Sequence, residues 1–231
     1  DEPILIYQRC KVPVVVGADR VANAQMLVEQ GCDIIISDDG LQHYRLKREL
    51  EIIVIDGKRL FGNGFLLPVG PLREGIWRLQ HADMLIYNGS KPSDVETINN
   101  NTSLLMKLAA SEVIQIKTGE KLSLENFLMQ WQSVNAVAGI GDPQRFFDTL
   151  QGLGFDLEHQ QGFVDHKDFT IDEFNQFKTD LPLLMTEKDA VKCQSFAQDN
   201  WWYLPVNAQF CKQDEQALLN RLQTIVKTKT S

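Results

Sequence analysis

The sequence predicts an α/β fold, a parallel sheet with helices on its faces. Three observations predict it. Short β-branched runs of strand length recur along the chain. Stretches with helical periodicity lie between them, and strands joined by crossover helices pair in parallel. An acidic turn follows one of the apolar runs, where open α/β sheets present ligand-binding groups.

Lys11–Gly17 (KVPVVVG) is short and β-branched and reads as a buried strand. Asp19–Gln30 reads as a helix, with Val21, Ala24, Leu27 and Val28 on one face and Gly31 closing it. Cys32–Ser37 (CDIIIS), Leu50–Ile55 and Asp83–Tyr87 read as further strands. Residues 56–75 hold five glycines and two prolines in 20 positions. A loop this long inside a compact domain is usually functional or disordered, and its Phe and Leu-Leu residues argue against disorder. The polar stretch Lys91–Asn101 reads as a linker or surface loop. Ser111–Gly119 then alternates at period two. Ser123–Trp131 reads as a helix capped by Ser123. Asn135–Ile140 reads as a strand, Pro143–Leu153 as a helix with proline in its first turn, and Thr170–Lys178 as another helix. Leu181–Met185 and Trp201–Val206 read as strands, and Asp214–Val226 as an amphipathic closing helix.

Composition excludes several classes. Of 231 residues, 43% are hydrophobic and 23% charged, which is ordinary for a globular chain and wrong for disorder, collagen or coiled coil. Nowhere do roughly 18 consecutive apolar residues occur, the length a spanning helix needs. Lys and Arg number 23 against 31 Asp and Glu, a net charge of −8, which disfavours general nucleic-acid binding. The four cysteines, Cys10, Cys32, Cys193 and Cys211, form no C-x-x-C pair and suit a reducing cytosol.

The sharpest motif is Ile34-Ile35-Ile36-Ser37-Asp38-Asp39-Gly40. Carboxylates after a buried strand resemble a Walker B arrangement, which holds Mg²⁺ beside nucleotide phosphates. An ordinary Asp-Asp-Gly turn explains the same residues. His43, Arg45, Lys47 and Arg48 follow directly, either as the positive part of a metal–phosphate site or as a solvated basic face. Asp165-His166 offers a base or its orienting partner, although an Asp beside a His is common. Ala138-Gly139-Ile140-Gly141-Asp142 reads as a glycine-rich turn able to offer N–H groups to an anion, or as tight strand–helix packing. Thr186-Glu187-Lys188-Asp189 sits at another expected strand end, and reads equally as a helix start capped by Thr186.

Together these motifs resemble the tetraacyldisaccharide 4′-kinase family, the lipid A 4′-kinases. The resemblance rests on Asp1-Glu2-Pro3, Val14–Gly17, IISDDGLQHYRL (35–46), VIDGKRLFGNGFLLPVGPLRE (54–74), AGIGDPQRFF (138–147), FVDH (163–166) and MTEKDAVKC (185–193). It implies a P-loop-type kinase with helices on both faces of a parallel-sheet core and a smaller C-terminal α/β region. Residues 1–100 would be the remainder of the kinase core, and 101–231 the region completing the active-site cleft. The implied reaction transfers the ATP γ-phosphate to the 4′-hydroxyl of a tetraacylated glucosamine disaccharide 1-phosphate, with ATP and Mg²⁺ as cofactors. By resemblance Asp1 is the catalytic aspartate and His166 its partner. Asp38, Asp39, Glu2 and Glu74 are implied at the metal, and Arg73, Gln42 and His43 at the nucleotide or substrate.

The chain holds no G-x-x-x-x-G-K-[ST] and starts without Met. The resemblance therefore implies that a Walker A loop and a membrane-associating segment precede Asp1, and that a piece without them is inactive alone. It also implies a peripheral protein at the cytoplasmic face of the bacterial inner membrane, with an acylated disaccharide lipid as partner and no nucleic acid. The alternative reading is a non-catalytic α/β binding or regulatory module. Physically, a lone exposed aspartate with a pKa of about 3.9 is a weak base unless a partner relays the proton. This gives a reason for Asp1 and His166 to work together. The expectations are that His166 lies close to Asp1, and that Asp38 and Asp39 end a central parallel strand and face a cleft.

Overall fold

In the computed structural model the described residues are 2–91, 102–165, 167–177 and 180–229. Asp1, His166 and positions 92–101 of the expected linker lie outside them. In chain order the first elements are α1 (Glu2–Cys10), α2 (Arg20–Glu29), β1 (Ile52–Asp56), β2 (Met84–Asn88) and β3 (Thr102–Ala109). There follow β4 (Glu112–Gln115), β5 (Lys121–Ser123), α3 (Leu124–Gln130), β6 (Ser133–Ala138), α4 (Pro143–Gly152) and β7 (Asp156–Gly162). The chain continues with β8 (Leu183–Thr186), α5 (Glu187–Cys193), β9 (Trp201–Leu204), β10 (Asn207–Phe210) and α6 (Lys212–Lys229). Among the described residues there are also two 3₁₀ turns, Ile76–His81 and Ile171–Phe177. The α/β class with parallel sheets expected from the sequence is what the chain adopts.

The chain divides into two compact units, each discontinuous in sequence. One takes the chain up to Ile35 with Ala110–Val206; the other takes Ile36–Ala109 with the chain from Asn207 onward. The first unit carries a six-stranded sheet in the order β5-β4-β9-β8-β6-β7. β6, β7, β8 and β9 run parallel, and β4 and β5 extend them in antiparallel fashion. β8 (LLMT) is a continuous apolar run because helices cover both faces: Leu183, Leu184 and Met185 are fully buried. On one face Phe127, Phe147, Leu150 and Trp202 pack into a core, and on the other Phe169, Phe174, Cys193 and Trp201 do. α4 begins at Pro143, whose missing N–H costs nothing there, and buries Phe146, Phe147 and Leu150. Ser123 Oγ accepts the Asn126 N–H at 3.2 Å and starts α3 as the sequence predicts.

The second unit carries a four-stranded sheet, β1-β2-β3-β10. β1, β2 and β3 are parallel, and β10 is antiparallel to β3. β2 is its most buried strand, with Leu85 and Tyr87 inside. Two carboxylates tie this sheet to its neighbours. Asp83 accepts the Glu51 N–H at 2.9 Å and pairs with Arg221 of α6 at 2.7 Å, and Asp214 accepts the Leu105 N–H at 2.9 Å.

Two expected strands are not formed. Lys11–Gly17 and Cys32–Ser37 have no strand geometry. A strand exists only through its ladder, and among the described residues neither run pairs with another. Their side chains are open: Val16 is 73% exposed, Ile34 63% and Ile36 91%. Asp38 and Asp39 therefore do not end a sheet strand; they form a turn, with Asp39 left-handed at φ 47°. Thr170–Lys178 is a 3₁₀ turn over Ile171–Phe177 rather than an α-helix. The sequence reading also passed over α1, β3, β5, β7 and β10.

Candidate active site

The expected site residues fall into two groups, one in each unit. In the second unit, the loop between Asp56 and Gly75 leaves the carboxyl end of β1. Asp56 Oδ1 accepts the Lys58 and Arg59 N–H groups at 2.9 and 3.1 Å and turns the chain away from the strand. Near its end, Arg73 Nη1 meets both carboxylate oxygens of Asp39, at 3.1 and 3.0 Å. Both side chains are more than half exposed, so this pair adds little to stability and leaves a carboxylate and a guanidinium open to a ligand.

The turn after Asp39 is held by a chain of ionic contacts. Arg48 donates to the Gly40 and Leu41 carbonyls at 2.9 and 3.1 Å and pairs with Glu51 at 2.8 Å. Arg78 pairs with Glu51 and, at 3.0 Å, with Glu74. Tyr44 donates to Glu74 at 2.6 Å, and that carboxylate holds the Tyr44 phenol above its usual range. Glu74 is thus engaged with Arg78 and Tyr44, whereas Arg73 next to it reaches Asp39. His43 donates its backbone N–H to the Gly40 carbonyl at 3.0 Å, and its buried Nε2 has no hydrogen-bond partner among the described residues. Gln42 lies in the same turn, half-buried.

In the first unit the parallel strands β6, β7 and β8 deliver three sequence motifs to one edge of the sheet, their carboxyl ends. Gly139–Asp142 follows β6, Phe163–Asp165 follows β7, and Thr186–Asp189 follows β8. This is the edge at which open α/β sheets bind ligands. Asp189 is fully buried. Its Oδ2 accepts the Gly139 N–H at 2.9 Å and the Thr186 hydroxyl at 2.6 Å, and Thr186 Oγ accepts the Asp189 N–H at 3.2 Å. Burial raises the Asp189 carboxyl above its ordinary range despite these donors. The turn after β6 is thereby fastened to the start of α5.

At the same edge Lys188 Nζ lies 2.9 Å from Asp165 Oδ1 and 2.9 Å from Glu2 Oε1. Lys188 is 17% exposed. Its burial alone would lower the ammonium pKa, but the Asp165 and Glu2 carboxylates outweigh that and raise it. Glu2 is lowered in turn, chiefly by the hydrogen bond from Lys188. Seven residues further along α1, Arg9 forks onto Glu187 at 2.7 and 2.6 Å and donates to the Val206 carbonyl at 3.2 Å. α1 has no fully buried side chain, and ion pairs at its two ends tie it to α5. Phe163 and Phe169 pack in the core with their rings 5.2 Å apart. Asp165 does not cap the following turn. Glu173 does, accepting the Thr170 N–H and hydroxyl at 2.7 and 2.6 Å.

Among the described residues no three His, Cys, Asp or Glu side chains are grouped to hold a metal. Mg²⁺ needs no such cage, since it takes one or two carboxylates plus phosphate oxygens and water. The adjacent carboxylates of Asp38 and Asp39 fit that donor set. A cavity of about 380 Å³ lined by Trp131, Pro182 and Asn200 lies at the amino edge of the six-stranded sheet and holds none of the expected site residues. Lys188, Tyr44 and Arg78 were not singled out: the first two lie inside the 185–193 and 35–46 motifs without an assigned part, and nothing local signalled Arg78.

A family model described as tetraacyldisaccharide-1-P 4′-kinase matches residues 1–227. The tetraacyldisaccharide 4′-kinase of Colwellia psychrerythraea is 58% identical over 99% of this chain and 66% of its own length. That of Shewanella denitrificans is 50% identical over 99% of this chain and 67% of its own. The chain thus spans about two thirds of the length of the curated relatives it matches. A crystal structure of LpxK from Aquifex aeolicus in complex with ATP superposes with a TM-score of 0.73 at 25% identity, covering 91% of this chain and 64% of that one.

Proposed function

Because the chain belongs to the tetraacyldisaccharide-1-P 4′-kinase family, we propose that it carries the acceptor-activating and metal-binding part of a lipid kinase. The reaction is transfer of the ATP γ-phosphate to the 4′-hydroxyl of a tetraacylated glucosamine disaccharide 1-phosphate, a step of lipid A biosynthesis. The observation that carries the reading is the family match over residues 1–227, within which the Asp38–Asp39 turn and the 56–75 loop stand intact.

Phosphoryl transfer asks the protein for alignment and charge neutralisation rather than covalent chemistry. Asp38 and Asp39 would hold Mg²⁺, which supplies neutralisation of phosphate charge when bound. Glu2 and Glu74 belong to the same proposal through their neighbours Asp1 and Arg73. Arg73, which already binds a carboxylate through Nη1, has the fork geometry that suits phosphate. Gln42 and His43 complete the turn. Asp1 takes the proton of the acceptor hydroxyl, and His166 shares it. Phe65, Leu66 and Leu67 are half or more exposed and offer apolar surface to acyl chains. The site works at the cytoplasmic face of the inner membrane. Among the described residues no helix is long and apolar enough to cross one.

The test uses this chain alone and a chimera in which it replaces the matching two thirds of the Colwellia relative. The chimera should phosphorylate the tetraacyldisaccharide 1-phosphate with ATP and Mg²⁺. Asp39→Ala should lower its turnover by about 10²–10³-fold, the scale of a lost transition-state charge contact. Full turnover of Asp39→Ala at limiting Mg²⁺ would remove Asp39 from the site.

A further inference from the structure

We infer that Lys188 is a positioning residue for the phosphoryl-transfer site, holding in place the two segments that carry Asp1 and His166. The inference rests on the kinase reading above and adds a residue that the family motifs did not assign.

The argument is geometric. Glu2 adjoins Asp1 in the chain, and Asp165 adjoins His166. The two segments are more than 160 positions apart in sequence, and one ammonium group, Lys188 Nζ, sits 2.9 Å from a carboxylate oxygen of each. Lys188 thereby ties together the two stretches of chain that run on, in sequence, to Asp1 and to His166. Lys188 is itself anchored. It lies in the first turn of α5, between Glu187, which takes the Arg9 fork, and Asp189, which is buried and fastened to Gly139 and Thr186. The backbone that carries the ammonium is therefore tied to the sheet, and its side chain is 17% exposed.

α1 supplies the second half of the argument. None of its side chains is fully buried, and only Pro3 and Leu5 of its apolar residues are half-buried. The Glu2–Lys188 pair ties its first turn to α5, and the Arg9–Glu187 fork ties its last. On the other side Phe163 and Phe169 pack on each other, and Asp165 is held by Lys188. Removing the ammonium would delete the group that bonds to both Glu2 and Asp165 at 2.9 Å.

Lys188→Met keeps the length and apolar stem and deletes the charge. In the Colwellia chimera it should lower kcat by about 10–100-fold, the cost of a misplacement on the order of 1 Å, while KM for ATP changes less than about threefold. Lys188→Arg, which keeps the cation, should recover most of the kcat. A loss confined to KM, an unchanged kcat, or no recovery with arginine would overturn the inference while leaving the kinase reading standing. Should Lys188→Met not fold, Asp165→Asn removes one of the same pairs from the other side and must give the same kcat-only loss; a normal kcat there overturns the inference too. A parent chimera that transfers no phosphate to the disaccharide overturns both readings, so the two failures are distinct.

Discussion

Asp189 is the residue on which the edge of the six-stranded sheet is hung. One carboxylate oxygen satisfies a backbone N–H from the turn after β6 and a hydroxyl from the end of β8. Its other oxygen is buried with no hydrogen-bond partner, and a Cβ added at Gly139 would come within 2.9 Å of it and of Phe169. Neither neighbour can move freely, because Phe169 is packed into the core with Phe163 and Phe174. Gly139→Ala should therefore destabilise the chain by about 1–3 kcal/mol, the usual cost of overpacking, measured by denaturant unfolding. A midpoint equal to the parent's would show that the turn has room. The sequence made the glycine-rich turn visible and left two explanations open, anion cradle or tight packing. The N–H of Gly139 is given to Asp189 rather than offered outward, so at this residue packing is the explanation.

Between residue and fold stands the short 3₁₀ turn at Ile171–Phe177, which the sequence presented as an α-helix. The pattern of Ile171, Phe174 and Phe177 has a spacing of three, which is the period of the tighter helix, and Phe174 and Phe177 are its buried members. Its start is held by Glu173, whose carboxylate receives two bonds from Thr170 and the Lys167 ammonium at 3.0 Å. The Thr170 bonds, then Lys167, hold this carboxyl well below its ordinary value of 4.5, at about 2. A carboxyl whose folded pKa is depressed contributes stability above its unfolded pKa and loses it as pH falls through the folded one. The stability advantage of the parent over Glu173→Gln should thus be full near pH 6 and shrink steadily from pH 4.5 toward 2, followed by thermal unfolding at each pH. A difference that stays constant across that window would assign the effect to side-chain shape rather than charge. Caps and buried runs such as Ser123, Pro143 and β8 were legible because their signals are local. β7 and β10 were not, since both are largely exposed, and strands at a sheet margin carry no apolar run to read.

For the whole chain, the informative failures are the two runs that read as strands and pair with nothing. Lys11–Gly17 and Cys32–Ser37 have the composition of buried strands, and the physics behind that reading is sound: β-branched side chains gain by packing on a pleated, covered surface. Here Val16, Ile34 and Ile36 are mostly exposed, and no ladder forms among the described residues. The acidic turn that the strand was expected to present is still made, because Arg48 ties the Gly40 and Leu41 carbonyls from the other side. The residues proposed for the site were thus named from the sequence, whereas the contacts around them were not legible, since Arg48, Arg78 and Lys188 act on partners distant in sequence. The curated relatives are about half as long again as this chain. A third of each relative therefore has no counterpart here to pair with these runs. Hydrogen exchange tests whether that third completes them. In the chain alone, amides of 12–17 and 32–37 should exchange fast, because an unpaired N–H exposed to water has no protection. In the Colwellia chimera the same amides should slow by more than about tenfold, corresponding to at least about 1.4 kcal/mol of local opening free energy. The amides of β8, already laddered on both sides, should exchange alike in both proteins. Equal rates for 12–17 and 32–37 in chain and chimera would mean that these runs are loops with strand-like composition, and that Asp38 and Asp39 act from a turn with no strand behind it.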